Sequence, residues 1–164
     1  MSVTLYTLPS SSSSRKAKKF LEDNNISFTV QNMYQEPLSK EQLYEILAHT
    51  ENGVDDIISE RSKEYEILKE QGIVFDELSL TGLYKLIRER PKLLKAPIMV
   101  KNKLTLVGYN IEEIHMLLNR EDKKREFQNV LSRIRAMEDK EFVEQGIIRI
   151  AKHDMTAGAY ERAI

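Results

Sequence analysis

The sequence predicts an α/β fold, and three observations carry that prediction. The chain opens with two segments of strand character, at 2–8 and 26–30, on either side of an amphipathic helical pattern. Helical periodicity then continues from about residue 37 to residue 90. Strand character returns on both sides of a polar turn, at 97–100 and 105–107. A β-α-β unit, a helical insertion and a β-hairpin therefore follow one another along the chain.

The opening unit contains a run of five serines, Ser10–Ser14, directly after the Pro9 that ends the first strand. A run of this composition is often a flexible linker. We interpret it instead as a helix start with one serine as the N-cap, because it is short and lies tightly between a strand and a helical pattern. Asn24-Asn25 ends that helix. A crossover of this length favours parallel, right-handed pairing of the two strands.

The central stretch predicts several helices in succession. Ser39 and Gln42 have the spacing of a capping box, which marks the start of the first helix. Short helices are predicted at 54–58 and 61–71. A further helix, with apolar residues at intervals of three and four, ends at Pro91.

The last third predicts a hairpin followed by helices. A helix is expected from Asn110 to about Leu118, and a charged amphipathic helix at 120–142. This order of elements predicts a thioredoxin-like domain interrupted by a helical insertion and followed by a C-terminal helical extension. The predicted boundaries are 1–36 with 91–119 for that domain, 37–90 for the insertion lobe and 120–164 for the extension and tail.

Composition excludes several classes of protein. The 164 residues include 25 Lys+Arg and 26 Asp+Glu, so the overall charge argues against a strongly basic nucleic-acid binder and leaves room only for a local basic patch. The chain has no Cys, which excludes disulfides and thiol chemistry. Its three His are far apart, so we expect no metal site and no cofactor. We expect no membrane association, since the sequence shows neither a signal peptide nor a bilayer-length apolar run.

Three stretches of the chain resemble one family. Residues 3–28, with the motif LPSSSSSR, resemble the opening of the Spx/arsenate-reductase-like (ArsC) proteins. Residues 36–65 resemble the helical insert of that family, and 83–114 resemble its return to the core. The resemblance covers about residues 2–118 and is stronger to the Spx regulators than to the reductases. It implies a thioredoxin-like domain and a regulator of the stress response.

The chain departs from the family at the redox motif. Spx proteins commonly carry Cys-x-x-Cys after the first strand, and the matching positions here are Ser11 and Ser14. Cys suits that place because a helix N-terminus stabilises a thiolate, whereas Ser has no accessible alkoxide without a base. Two explanations stay open: a natural, redox-blind paralogue, or a Cys-Ser-Ser-Cys parent changed at two positions.

A second departure lies beside Pro97. The resemblance implies that Pro97 is the cis-proline next to the redox motif, although a proline can also simply open an edge strand. Many Spx proteins have Arg directly before it, where this chain has Ala96, with Lys95 one place earlier. The missing Arg weakens the case for thiol tuning or oxyanion chemistry.

Three functions compete. As a Spx-like regulator, the chain would bind the C-terminal domain of the RNA polymerase α subunit through Gly53. The alternative is that Gly53 only ends a helix and contacts no partner. The alternative is an arsenate reductase-like or thiol oxidoreductase whose catalytic Cys are replaced by Ser, with Arg61 resembling a family Arg. Direct DNA contact is the third, through a basic cluster that is otherwise a solvated face. That cluster comprises Arg15, Lys16, Lys18 and Lys19.

The sequence therefore predicts a non-enzymatic Spx-like transcriptional regulator without a thiol switch. We expect a cytoplasmic protein that is a monomer when free. It would meet promoter DNA only indirectly, within its complex with the polymerase.

Overall fold

The computed structural model describes the backbone of residues 2–161 and the side chains of residues 2–147. It divides into two units, 1–119 and 120–164, each described by itself below. The first unit contains four strands, β1 Val3–Thr7, β2 Phe28–Asn32, β3 Ile98–Lys101 and β4 Leu104–Val107. Its helices are α1 Ser12–Asp23, α2 Lys40–Ala48, α3 Val54–Ile57, α4 Lys63–Glu70 and α5 Leu80–Glu89, with 3₁₀ turns at Phe75–Glu77, Pro91–Leu93 and Ile114–Leu117.

The four strands form one mixed sheet in the order β2-β1-β3-β4. Strands β1 and β2 pair in parallel, and β3 pairs antiparallel with both β1 and β4. The β3–β4 hairpin turns at Asn102, whose φ of 55° is tolerated by asparagine in tight turns. The parallel pair and the hairpin are both as the sequence predicts.

Alternation along the strands separates two hydrophobic cores. Val3 and Leu5 of β1 pack with α1 and the 3₁₀ turn at Ile114–Leu117. Tyr6 belongs to the other core, which gathers the apolar faces of α2, α4 and α5. Successive residues of a strand point to opposite faces, so the sheet is covered by helical elements on both sides.

The ends of α1 and α2 are fixed by capping. Ser39 and Gln42 form the predicted capping box at α2, with both reciprocal hydrogen bonds in place. Helix α1 ends in a Schellman motif: the N–H of Asn25, at a φ of 53°, donates to Glu22, and the N–H of Ile26 donates to Leu21. Because Ile26 takes part in this cap, β2 begins at Phe28 and not at the predicted residue 26.

Two helix predictions need correction. The helix expected from Asn110 is only a 3₁₀ turn, Ile114–Leu117. Asn110 accepts a hydrogen bond from the N–H of Glu112 and forms a local turn, and the eclipsed spacing of a 3₁₀ turn is enough to bury Ile114 and Leu117. The helix predicted at 120–142 is longer: α6 spans Arg120–Glu161.

Candidate functional site

The serine run begins helix α1. Ser10 has a φ of 64°, which turns the chain after β1. Ser11 is the N-cap, and its Oγ accepts a hydrogen bond of 3.1 Å from the N–H of Ser14. The run therefore begins a helix, as predicted, and is not a linker. The first of the two redox-motif positions thus lies at the positive end of a helix dipole.

Ser14 lies in a very different environment. Its side chain is 5% exposed, and its Oγ is buried without a hydrogen-bond partner among the described residues. Buried hydroxyls are normally paired, because an unpaired one loses its hydration without compensation. A thiol would suit the position better, since free Cys behaves as a small, largely apolar side chain. The Ser14 hydroxyl is thus a buried polar group without compensation among the described residues.

A cavity of about 380 Å³ adjoins Ser11. Lys95 and Ala96 line this cavity. The peptide bond that follows, Ala96–Pro97, is cis. Lys92 also lines the cavity, and its ammonium lies 5.4 Å from the centre of the Tyr34 ring. The family pattern concerns only the residue directly before the proline, so the sequence alone assigns no role to Lys92. The one signal for Lys92 in the sequence is its place in the segment that leads to Pro97.

The basic cluster of α1 is only partly at this site. Arg15, Lys16, Lys18 and Lys19 are all exposed. Arg15 and Lys18 line a second, smaller cavity together with Ser11 and Ser14. Lys18 is also 3.8 Å from Glu22, an exposed pair that contributes little stability.

Arg61 is not part of this arrangement. It is exposed in the turn before α4 and lines neither cavity at the serine motif. The fold thus brings Ser11 together with Lys92 and Lys95 in one cavity. It brings both serines together with Arg15 and Lys18 in the other, and it leaves out Arg61.

Gly53 lies in the loop between α2 and α3. Its φ of 63° and ψ of −119° belong to a region that residues with a side chain rarely adopt. It does not end α2, whose C-cap is His49, but stands at the N-cap of α3. A Cβ added at Gly53 would meet no atom within 4 Å. The glycine is therefore required by backbone conformation, and the space in front of it is open.

Side-chain hydrogen bonds hold this loop in one shape. Asp56 accepts from the backbone N–H of Asn52 at 2.9 Å and from its side-chain amide at 3.1 Å. These bonds, the backbone one first, lower the pKa of Asp56. The hydroxyl of Thr50 donates to the carbonyl oxygen of Leu47 at 2.9 Å. The loop is thus ordered before any partner arrives.

The loop is also joined to the cavity beside Ser11. The backbone N–H of Ser59 donates to the Leu93 carbonyl, and that of Lys95 donates to the Ile57 carbonyl, both at 2.8 Å. The Lys95 ammonium in addition donates to the Asp55 carbonyl at 3.2 Å. Segment 57–59 therefore pairs with the segment that leads into Pro97, and one stretch of backbone connects the two candidate sites.

The described residues offer neither a metal site nor a membrane-spanning helix. Among the described residues, no group of three or more His, Asp or Glu side chains is placed to hold a metal ion. In the same part of the chain, no helix is both long and apolar enough to cross a bilayer.

Comparison with known proteins identifies relatives of two kinds. The chain is 47% identical over 118 residues to "Global transcriptional regulator Spx 1" of Bacillus cereus, covering 72% of this chain and 88% of that protein. It is 45% identical over 126 residues to "Global transcriptional regulator Spx" of Bacillus subtilis, covering 77% and 92%. The solved arsenate reductase of Vibrio cholerae is 28% identical, with a TM-score of 0.61 over 72% of this chain and 98% of that one.

These findings confirm the predicted fold class. The likeness to the reductase fold covers the first unit, and α6 extends beyond it. The sequence profile of the ArsC family matches residues 6–117, which include both serine positions, Gly53 and Pro97. This chain belongs to the ArsC family.

Proposed function

We propose that this chain is a Spx-type transcriptional regulator that binds the C-terminal domain of the RNA polymerase α subunit through the Gly53 loop, without a thiol switch. The broader part, a transcriptional regulator, is supported by relatives that are 44–47% identical and carry that name. The polymerase partner follows from the resemblance to Spx proteins, in which the matching glycine contacts that domain.

The observation that carries the proposal is the open space in front of Gly53. A side chain there would be strained by the backbone, yet it would meet no atom of its own chain within 4 Å. The backbone conformation by itself accounts for glycine at this position, and the open space in front of it leaves room for a partner. An approaching partner backbone does use such a space, because glycine lets two main chains come close together.

The order within the loop supports the same interpretation. Asn52, before Gly53, and Asp56, after it, are joined by two hydrogen bonds that span the glycine. Earlier in the loop, the hydroxyl of Thr50 donates to the carbonyl oxygen of Leu47. A surface that is ordered before binding loses less conformational entropy when the complex forms.

The chain is not an enzyme. Thiol-based arsenate reduction needs a nucleophilic cysteine, and the sequence contains none. Ser11 cannot replace it, because activating a serine hydroxyl needs a neighbouring base, and no His or carboxylate lines either cavity at the motif. The reductase-like alternative is therefore supported by the shared fold and not by the residues at the motif.

The absence of cysteine also limits how polymerase binding can be regulated. Without cysteine, a disulfide switch is chemically excluded, so polymerase binding should not respond to a thiol oxidant such as diamide. Arg15 and Lys18 are exposed beside the serine motif and, in this proposal, contact promoter phosphates once the polymerase holds the protein. Such contacts would strengthen at low salt.

The test is a calorimetric titration of the full chain with the purified α C-terminal domain. Gly53→Arg should abolish binding because the side chain fills the space that the partner needs. Gly72→Arg is the matched control: Gly72 also has a positive φ, 82°, and open space in front of it, but lies at the end of α4. Gly53→Ala imposes the backbone strain of a side chain without the bulk of Arg, so it separates these two effects on binding.

The outcomes decide between the functions. Saturable binding by the parent and Gly72→Arg, lost in a folded Gly53→Arg, would support the proposal. No binding by the parent chain, or equal binding by Gly53→Arg, would contradict it and point to a paralogue with a different partner.

A further inference from the structure

Helix α6 carries an apolar seam that is exposed to solvent. Phe127, Val130, Ile134 and Met137 are 64, 46, 46 and 70% exposed. They recur at alternating intervals of three and four residues, which places them on one narrow line along the helix. Three further exposed apolar residues of α6, Phe142, Val143 and Ile147, lie off this line. The seam itself fits lengthwise packing against another helix.

Charged residues continue the same line at both ends. Arg120 and Lys123 occupy the seam positions before Phe127, and Glu141 and Glu144 occupy those after Met137. The seam thus begins with cations, is apolar in the middle and ends with anions. A helix of this pattern is electrostatically complementary to a copy of itself that runs in the opposite direction.

We infer that α6 pairs with α6 of a second copy of this chain as an antiparallel coiled coil. With the centre of pairing at Ser132, Phe127 faces Met137 of the other copy and Val130 faces Ile134. The ends then also match: Arg120 meets Glu144, Lys123 meets Glu141 and, beside the seam, Lys124 meets Glu138. Each of these contacts occurs twice in the symmetric dimer.

A parallel dimer is disfavoured by the same residues. Parallel pairing places each seam residue against its own copy, so Glu141, Glu144, Arg120 and Lys123 would each face a like charge in the seam. The partner of Arg133 differs between the antiparallel and the parallel dimer. Arg133 meets its own copy in the antiparallel dimer, but lies beside Glu138 of the other copy in the parallel one.

This inference concerns α6 alone and is independent of the proposed polymerase contact. It replaces the expectation of a free monomer. The seam lies outside residues 6–117, which match the family profile, and so gives this chain an interface that the matched region does not contain.

The first test is sedimentation equilibrium of the full chain at 0.15 M salt. We expect a dimer, and Ile134→Asp should convert it to a monomer because a carboxylate would be buried in the seam. Val143→Asp is the matched control, since Val143 is 57% exposed but lies off the seam. It should leave the dimer intact, and circular dichroism would verify that both variants keep their helix.

Charge variants test which residues face each other. Glu138→Lys should weaken the dimer about tenfold or more by opposing two lysines at each end, and adding Lys124→Glu should restore it. Arg133→Gln should tighten the dimer, because it removes the like-charge pair at the centre. In a parallel dimer, Arg133→Gln would weaken association, and Lys124→Glu would not rescue Glu138→Lys.

The lack of cysteine allows a direct test of orientation. When a Val130→Cys chain is mixed with an Ile134→Cys chain and oxidised, the two should cross-link to each other in preference to themselves. Preferential self-cross-linking of Ile134→Cys would overturn the antiparallel arrangement. A monomer at all concentrations, or a dimer that Ile134→Asp leaves intact, would overturn the seam as the interface and indicate another occupant for it.

Discussion

The two serines of the redox motif should respond to the same substitution with opposite signs. Ser14→Ala removes a buried hydroxyl that has no partner, and such a group costs about 1–3 kcal/mol. Alanine also has the higher helix propensity, by about 0.5 kcal/mol. The small gap left by the oxygen offsets part of this gain. We therefore expect Ser14→Ala to stabilise the first unit by about 1 kcal/mol.

Ser11→Ala should do the reverse. It removes the N-cap oxygen that accepts the N–H of Ser14, and the loss of such a cap costs about 1 kcal/mol. The two variants should thus differ by about 2 kcal/mol, a factor of about 30 in the folding equilibrium. With a slope of about 2 kcal/mol/M, the urea midpoint would shift by about 0.5 M upward for Ser14→Ala and downward for Ser11→Ala.

Tyrosine fluorescence during urea unfolding suits this measurement. The chain has no Trp, and every Tyr except Tyr160 lies within residues 1–119, so the signal follows the unit that contains the motif. Ser11→Thr, which keeps a capping hydroxyl, is the control and should stay close to the parent. If Ser14→Ala lowered the midpoint as much as Ser11→Ala, the argument from the unpaired hydroxyl would be refuted.

Two further predictions concern the site. Asp56 is held as a carboxylate by Asn52, so its folded pKa lies below its unfolded value. Its stabilisation of the Gly53 loop should be present above the ordinary Asp pKa and lost as the pH falls through the lowered one. An NMR titration of the Asp56 carboxyl should show this, and Asn52→Ala should raise its pKa; an unchanged pKa would contradict the assignment. The double variant Ser11→Cys with Ser14→Cys should form a disulfide on oxidation, measured as the loss of two titratable thiols. Neither single variant should lose its thiol. Persistent thiols in the double variant would show that the motif no longer has disulfide geometry.

The features that the sequence determined by itself are local ones. The serine cap of α1, the capping box of α2 and the stop at Asn24-Asn25 each depend on residues within a few positions of one another. The same holds for the seam of α6, which is a matter of spacing along one helix. Local hydrogen bonding and periodicity are written directly in the order of residues, so these predictions needed no knowledge of the fold.

The tertiary structure alone decided which distant residues meet. Lys92 and Lys95 line the same cavity as Ser11, about eighty residues away in sequence. Segment 57–59 is joined to Leu93 and Lys95 by backbone hydrogen bonds. The tertiary structure also decided that the buried Ser14 hydroxyl has no partner among the described residues, since this depends on which groups pack over that face of α1. Long-range contacts result from the sheet order and from packing on both of its faces, and neither is encoded in any short stretch of the chain.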